Sequence, residues 1–200
     1  RCELHTLFLD LKTAYASPNH SLMLNLLYDM GIRGPLWLRL HELYGECLLY
    51  AEAGGVVSEE TRMLRGVREG DGLSCILFVL YMLVFHLALQ AIDGAGVGIA
   101  GWGSFLIGGF VDDNALYLAA PELRTRVEAV VTRVAELLHL TINTARGKTE
   151  STTTQPTPES RPGQMQWNLA GDAINITDAD TGYKHLGMIQ LRSGNKASWD

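Results

Sequence analysis

The stretch Phe105-Leu-Ile-Gly-Gly-Phe-Val-Asp-Asp-Asn-Ala-Leu-Tyr-Leu118 decides the fold. Apolar residues run up to the adjacent carboxylates Asp112 and Asp113 and resume just after them. That pattern predicts strand, tight turn, strand, with both acids at the tip. Aspartate suits turns in its own right, so the pair alone says little. A second acid in a like setting says more. Asp10 closes the apolar run Leu7-Phe-Leu-Asp10, another strand ending in a carboxylate. Two such strands side by side gather three carboxylates in one place. Like charges that close resist ionising together unless a cation lies among them. Mg²⁺ is the natural occupant, a hard ion that takes oxygen ligands and leaves positions open for phosphate. The expectation is a two-metal site for phosphoryl transfer.

Outward from these acids, the chain alternates strands and helices. His5–Asp10 reads as a strand. Pro18-Asn-His-Ser21 breaks the chain, with Ser21 as a helix cap. Leu22–Met30 carries apolar residues at helical spacing. Gly31–Pro35 is a turn and Leu36–Leu48 a second amphipathic helix. Tyr50–Glu59, with Gly54-Gly55, reads as a hairpin, and Thr61–Leu64 as a strand. Gly66–Gly72 is a glycine-rich loop. Ser74 is placed to cap a long helix, Cys75–Ile92. Gly94–Gly103 reads as a flexible link. Pro121–Leu138 is a helix with Val127, Val130, Val131, Val134 and Leu138 on one face. Leu140–Asn143 and Lys148–Thr154 are short strands, Gln155–Gln164 is a loop, and Met165–Gly187 alternates short apolar segments with turns. No internal repeat is visible. This order predicts an α+β sandwich, one antiparallel sheet backed by helices.

The bulk numbers narrow the class. At 200 residues and 47% hydrophobic content, one sizeable domain can bury a core. A net charge of −6 counts against a nucleic-acid binder by sum alone. Position matters more: Arg62, Arg65 and Arg68 lie close together, and Arg33 and Arg39 flank one helix. The three cysteines, Cys2, Cys47 and Cys75, form neither a disulfide framework nor a zinc pattern. That fits a reducing, intracellular setting, nucleus or cytoplasm. No signal peptide precedes the first strand. The longest apolar run, Ile76–Leu89, is short for a membrane span and reads as a buried helix. His20 reads as a helix-start contact and His86 as a satisfied histidine on that helix. The chain starts abruptly on a core strand, which implies an excised piece of a longer protein.

Taken together, these segments resemble the palm of a reverse transcriptase, of the kind found in non-LTR (LINE-type) retrotransposons. Five motifs occur in the family's order. Phe8-Leu-Asp10-Leu-Lys-Thr-Ala-Tyr15, then Pro18 and His20, is similar to F-x-D-x-x-x-A-[FY]. Gly66-Val-Arg-Glu-Gly70-Asp-Gly72-Leu-Ser74-Cys-Ile-Leu-Phe78 is similar to G-V-x-Q-G-x-P-L-S-P-x-L-F. Phe110-Val-Asp112-Asp113 resembles [FY]-x-D-D. Leu140-Thr-Ile-Asn143 with Lys148-Thr-Glu150 resembles L-x-[IL]-N…K-T-E. Tyr183-Lys-His-Leu-Gly187 is similar to [YF]-K-[YH]-L-G.

The resemblance implies a polymerase palm over residues 1–191, with part of the fingers, no thumb, and a tail at 192–200. It implies RNA-directed DNA synthesis on an RNA template and DNA primer from dNTPs, with two Mg²⁺ ions. Asp10 and Asp112 would bridge both ions, Asp113 would support one, and the Leu11 carbonyl would add a ligand. Tyr15 would pack under the incoming sugar and exclude a 2′-hydroxyl. Arg68, Glu69 and Gly70 would meet base and template. Lys148 would protonate the departing pyrophosphate. Tyr183–Gly187 would grip the primer end without chemistry.

The sequence departs from the pattern at Glu69, where the family has glutamine, and at Gly72, where it has proline. Arg146-Gly147 lengthens the gap before Lys148, and His139 stands where glycine is common. Three other readings remain: a group II intron maturase-like protein, an RNA-copying polymerase, or a remnant that folds wholly or in part and at most binds nucleic acid. The missing fingers and thumb imply that the isolated chain is inactive or weak. The rest of the polyprotein (fingers, thumb, an endonuclease) would be its partner, and no membrane is implied.

Overall fold

Strand β1 (Leu4–Leu9) is buried along nearly all its length, with polar His5 and Thr6 buried among its leucines and phenylalanine. It is the middle strand of the largest sheet in a computed structural model that describes residues 3–68, 70–101, 103–154, 165–177, 183–185 and 188–190. After β1 the chain forms β2 (Leu11–Lys12), α1 (His20–Asp29), α2 (Gly34–Gly45), β3 (Leu48–Leu49), β4 (Glu52–Ala53), β5 (Val56–Val57) and β6 (Thr61–Arg62). Helix α3 (Gly72–Gln90) follows. Then come β7 (Val97–Ile99), β8 (Gly103–Phe105), β9 (Ile107–Phe110), β10 (Asp113–Leu118), α4 (Arg124–Leu137), β11 (Thr141–Ile142) and β12 (Glu150–Thr154). The last elements are β13 (Asn168–Leu169), β14 (Asp172–Ala173), β15 (Asn175–Ile176), β16 (Tyr183–His185) and β17 (Met188–Gln190). The expected mixed α+β architecture is present.

The chain divides into two compact units, Thr13–Leu83 and the combination of Arg1–Lys12 with Val84–Asp200. In the second of these, the sheet order is β15-β12-β1-β10-β9. The pairs β12–β1, β1–β10 and β10–β9 are antiparallel, while β12–β15 is parallel. The expectation of a wholly antiparallel sheet therefore fails at one edge. The reason is that Thr177 N reaches back to the Ser151 carbonyl at 2.8 Å, drawing the later segment along β12. Helix α4 buries Val127, Val131, Ala135 and Leu138, one helical stripe. Val130 and Val134, expected on that face, are only half-buried. Gly94–Gly103 is no simple link: β7 and β8 form an antiparallel hairpin. Gly96 is needed beside it, since a Cβ there would land on the Phe105 backbone. Tyr183–His185 and Met188–Gln190 form the expected hairpin, while Leu186, Gly187 and the 192–200 tail lie outside the described residues.

In the Thr13–Leu83 unit, α1 starts at His20 because Asn19, not Ser21, caps it. The Asn19 side chain accepts from Leu22 N at 3.0 Å. Helix α2 begins two residues earlier than the apolar pattern, with Pro35 in its first turn, where the missing N–H costs nothing. Helix α3 begins at Gly72 because Asp71 accepts from Leu73 N at 3.0 Å. Ser74 is thus inside the helix and donates to the Arg68 carbonyl instead of capping. At 19 residues, α3 is long and apolar enough to cross a membrane by length and composition. It is also less buried than expected: Ile76, Val79, Leu83 and Leu87 form an exposed apolar stripe.

Candidate active site

The register of β1 on β10 fixes the geometry of the carboxylates. His5 pairs with Leu118 and Leu9 with Asn114. Asp10 and Asp113 are the residues one step beyond that last pair, so they flank the same end of the two central strands. On the other side, Asp113 pairs with Phe110 across a two-residue turn, Val111-Asp112. Val111 takes φ of +60°, an uncommon conformation for a β-branched residue, and Asp112 is exposed on the turn.

Asp10 is held from several directions. Its Oδ2 accepts from Asn143 Nδ2 at 2.7 Å. Lys148 Nζ lies 3.9 Å from its Oδ1. Its backbone N donates to Thr149 Oγ1 at 3.1 Å, and its backbone carbonyl accepts from Asn143 N at 2.9 Å. Leu11 pairs with Ile142 in the short β2–β11 ladder, which brings the Asn143–Thr149 turn up to Asp10. The sequence motif containing Asn143 and Lys148 thus delivers both side chains to the carboxylate of the first motif.

The turn bearing Asp112 is held by Asn114 and His86, residues that no local pattern connects. Asn114 is fully buried; its Nδ2 donates to the Asp112 carbonyl at 2.8 Å. Its Oδ1 accepts from His86 Nε2 at 2.6 Å. Gly109, opposite Asn114 in the ladder, leaves room for this pair, because a Cβ there would meet the Asn114 amide and the His86 ring. The one advance signal was Gly108-Gly109 inside a strand, a mark of close approach.

The remaining predicted residues belong to the Thr13–Leu83 unit. Tyr15 stacks on Phe78, with centroids 5.0 Å apart and planes 13° from parallel. Tyr15 and Gly70 line one open pocket of about 320 Å³ with Asp71, Ser74 and Cys75. Gly66 has φ of +91°, and a Cβ there would come within 2.9 Å of Met63 and 3.1 Å of Ala16. Its carbonyl accepts from His20 Nε2 at 2.7 Å, the expected helix-start contact. Arg68 donates to Cys47 Sγ at 3.5 Å, a bond that raises its pKa above the usual guanidinium value. Glu69 lies outside the described residues.

Asp10, Asp112 and Asp113 offer only carboxylate oxygen, the donor chemistry of Mg²⁺, and two of them flank one strand-pair end. Among the described residues, however, no group of three or more His, Cys, Asp and Glu side chains stands close enough to hold a metal ion. The expected three-carboxylate cluster is therefore not drawn together here. The Asp10 carboxylate is engaged by Asn143, with Lys148 3.9 Å away.

No protein-family model matches the chain, and no curated protein matches it. Among solved structures it is similar to apo telomerase from Candida tropicalis truncated from its C-terminal domain. The TM-score is 0.61 at 13% identity, over 100% of this chain and 36% of that one. It is also similar to Candida tropicalis telomerase in complex with a TWJ fragment of telomeric RNA: TM-score 0.61, 10% identity, 100% of this chain and 30% of that one. For Candida albicans telomerase with a TWJ fragment of telomeric RNA, the TM-score is 0.56 at 16% identity, over 86% of this chain and 30% of that one. The chain spans about a third of the length of these telomerase chains. Telomerase is a reverse-transcriptase-related enzyme, and the fold of this chain is reverse-transcriptase-like.

Proposed function

We propose that the chain is the palm of an RNA-directed DNA polymerase of the non-LTR retrotransposon kind. The observation that carries the reading is the β1–β10 register, which sets Asp10 and Asp113 at one strand-pair end beside the Asp112 turn. On this reading Asp10, Asp112 and Asp113, with the Leu11 carbonyl, hold two Mg²⁺ ions. Such ions would supply Lewis-acid chemistry at a primer 3′-hydroxyl and at the triphosphate. The chain's own side chains do the rest. Asn143 orients the Asp10 carboxylate through its 2.7 Å hydrogen bond. Lys148, an exposed ammonium beside Asp10, gives a proton to the departing pyrophosphate. Tyr15, steadied by Phe78, excludes the 2′-hydroxyl of an incoming nucleotide. Arg68, Glu69 and Gly70 meet base and template. The partners are an RNA template, a DNA primer and dNTPs, in the nucleus or cytoplasm. The telomerase structures containing telomeric RNA support a nucleic-acid partner.

A longer chain carrying fingers and thumb should extend a DNA primer on RNA, and Asp10→Asn or Asp112→Asn should abolish extension. Full activity in the Asp10→Asn or Asp112→Asn chain would sink the assignment. A second reading, a folded remnant without catalysis, draws on the undrawn carboxylate cluster. It predicts that the longer chain stays inactive while still binding a primer–template.

A further inference from the structure

The turn that carries Asp112 is backbone under strain. Val111 takes φ of +60°, a left-handed conformation that suits glycine and disfavours a β-branched side chain. Strain of this kind persists only where the surroundings over-determine it. Two side chains from the same Val84–Asp200 part of the chain do so here. Fully buried Asn114 donates from Nδ2 to the Asp112 carbonyl at 2.8 Å, and its Oδ1 lies 2.6 Å from His86 Nε2. The roles are forced. A backbone carbonyl only accepts, so the Asn114 amino group faces Asp112 and its oxygen faces the ring. An amide oxygen only accepts as well, so His86 Nε2 carries a proton in the neutral ring and in the cation alike. The donors therefore run one way, from helix α3 through Asn114 to the turn.

A buried asparagine costs desolvation that a leucine of like size would not. The hairpin keeps the amide nonetheless, and Gly109 opposite it leaves the space that the amide and the imidazole fill. What the amide holds is the backbone of an exposed acid, in a turn where the β9–β10 pairing has already ended at Phe110 and Asp113. We propose that His86 and Asn114 clamp the strained Val111-Asp112 turn, and that His86 is thereby a positioning residue for the Asp112 carboxylate, acting through Asn114. Without the clamp, Val111 relaxes from its left-handed conformation and carries Asp112 with it. The positioning role rests on the reading of Asp112 as a metal-binding acid; the clamp itself does not.

Amide hydrogen exchange on the full chain reads the clamp without metal or activity. His86 is half-buried, so His86→Leu removes the donor at a position that tolerates an apolar side chain. The Phe110 and Asp113 amides should then exchange about tenfold faster, the effect of losing one hydrogen bond. Amides of β1 should keep the parent's rates, which general loosening of the core would not allow. His86→Gln retains an N–H donor and should stay near the parent. Val111→Gly added to His86→Leu should restore slow exchange, because glycine adopts this conformation unaided. In a longer polymerase chain, His86→Leu should raise the Mg²⁺ concentration for half-maximal primer extension about tenfold, and Val111→Gly should reverse the rise. Unchanged Phe110 and Asp113 exchange in His86→Leu would overturn the clamp. So would faster exchange that Val111→Gly leaves in place. A loosened turn with an unshifted Mg²⁺ requirement would overturn the positioning role. A parent chain that extends no primer would remove the polymerase reading and the positioning role with it, while the exchange rates would still decide the clamp.

Discussion

Asp10 stands one residue past the last rung of the β1–β10 ladder; Asn143 grips its Oδ2, and Lys148 lies 3.9 Å from its Oδ1. The grip has a consequence at the residue scale. Asn143→Ala removes a charge-assisted hydrogen bond and frees the carboxylate to rotate. In a polymerase-competent chain this should lower primer extension about tenfold and raise the Mg²⁺ concentration for half-maximal rate, the cost of one such bond. A rate and a Mg²⁺ dependence equal to the parent's would show that Asn143 does not orient Asp10. Tyr15 offers a second residue-scale expectation. Its ring is fixed against Phe78, so Tyr15→Val should admit ribonucleotides without unfolding the unit. Comparing dNTP with rNTP incorporation measures this directly, and unchanged sugar selectivity would remove Tyr15 from the site. The acids themselves were legible because a carboxylate closing an apolar strand is a local pattern. The Asn143–Asp10 bond was not, because its partners are 133 residues apart and only the ladder brings them together.

At the scale of elements, β9 and β10 are a hairpin with a demanding interior. Gly109→Ala would force a methyl against the Asn114 amide and the His86 ring. Overpacking of this kind should cost about 1–3 kcal/mol and disturb the Asp112 turn that Asn114 holds. Chemical denaturation measures the first effect; a stability equal to the parent's would mean the strand moves aside freely. The sequence showed the Gly-Gly pair but not its neighbours, since His86 comes from a helix whose rotation the apolar pattern leaves open. The hydropathy of α3 has the same weakness: nearly every position is apolar, so no stripe marks which face is buried. Strand β12 was misleading in another way. Its Ser and Thr residues look like an exposed edge, yet Ser151 and Thr153 are buried beside β1.

Central β1 also carries a pH dependence. His5 is buried, and its Nδ1 is 2.9 Å from Thr153 Oγ1. Desolvation lowers its pKa below 6.5, with nearby Glu3 opposing in part. The unfolded chain therefore takes up a proton before the folded chain does. Stability from this group is fully present above about pH 6.5 and is lost as pH falls from there to the lowered folded value. Denaturation midpoints measured on either side of pH 6.5 should show the loss, and His5→Gln should flatten it. An equal slope in His5→Gln would assign the loss to other groups.

At the scale of the whole molecule, the fold is reverse-transcriptase-like while its activity is a proposal resting on three acids. The fold was legible in the sequence because the segments that build it follow one another in a set order, and each is a local pattern. The parallel β12–β15 edge, the β7–β8 hairpin and the exposed stripe of α3 were not, since tertiary pairing decides them. The proposed activity requires divalent ions to draw the acids together. A crystal of the protein soaked with Mn²⁺ and dNTP answers this through the anomalous signal of manganese. Manganese should bind between the carboxylates of Asp10 and Asp112, with Asp10 turned from Lys148 toward the ion. Ordered nucleotide with no manganese at those carboxylates would contradict it.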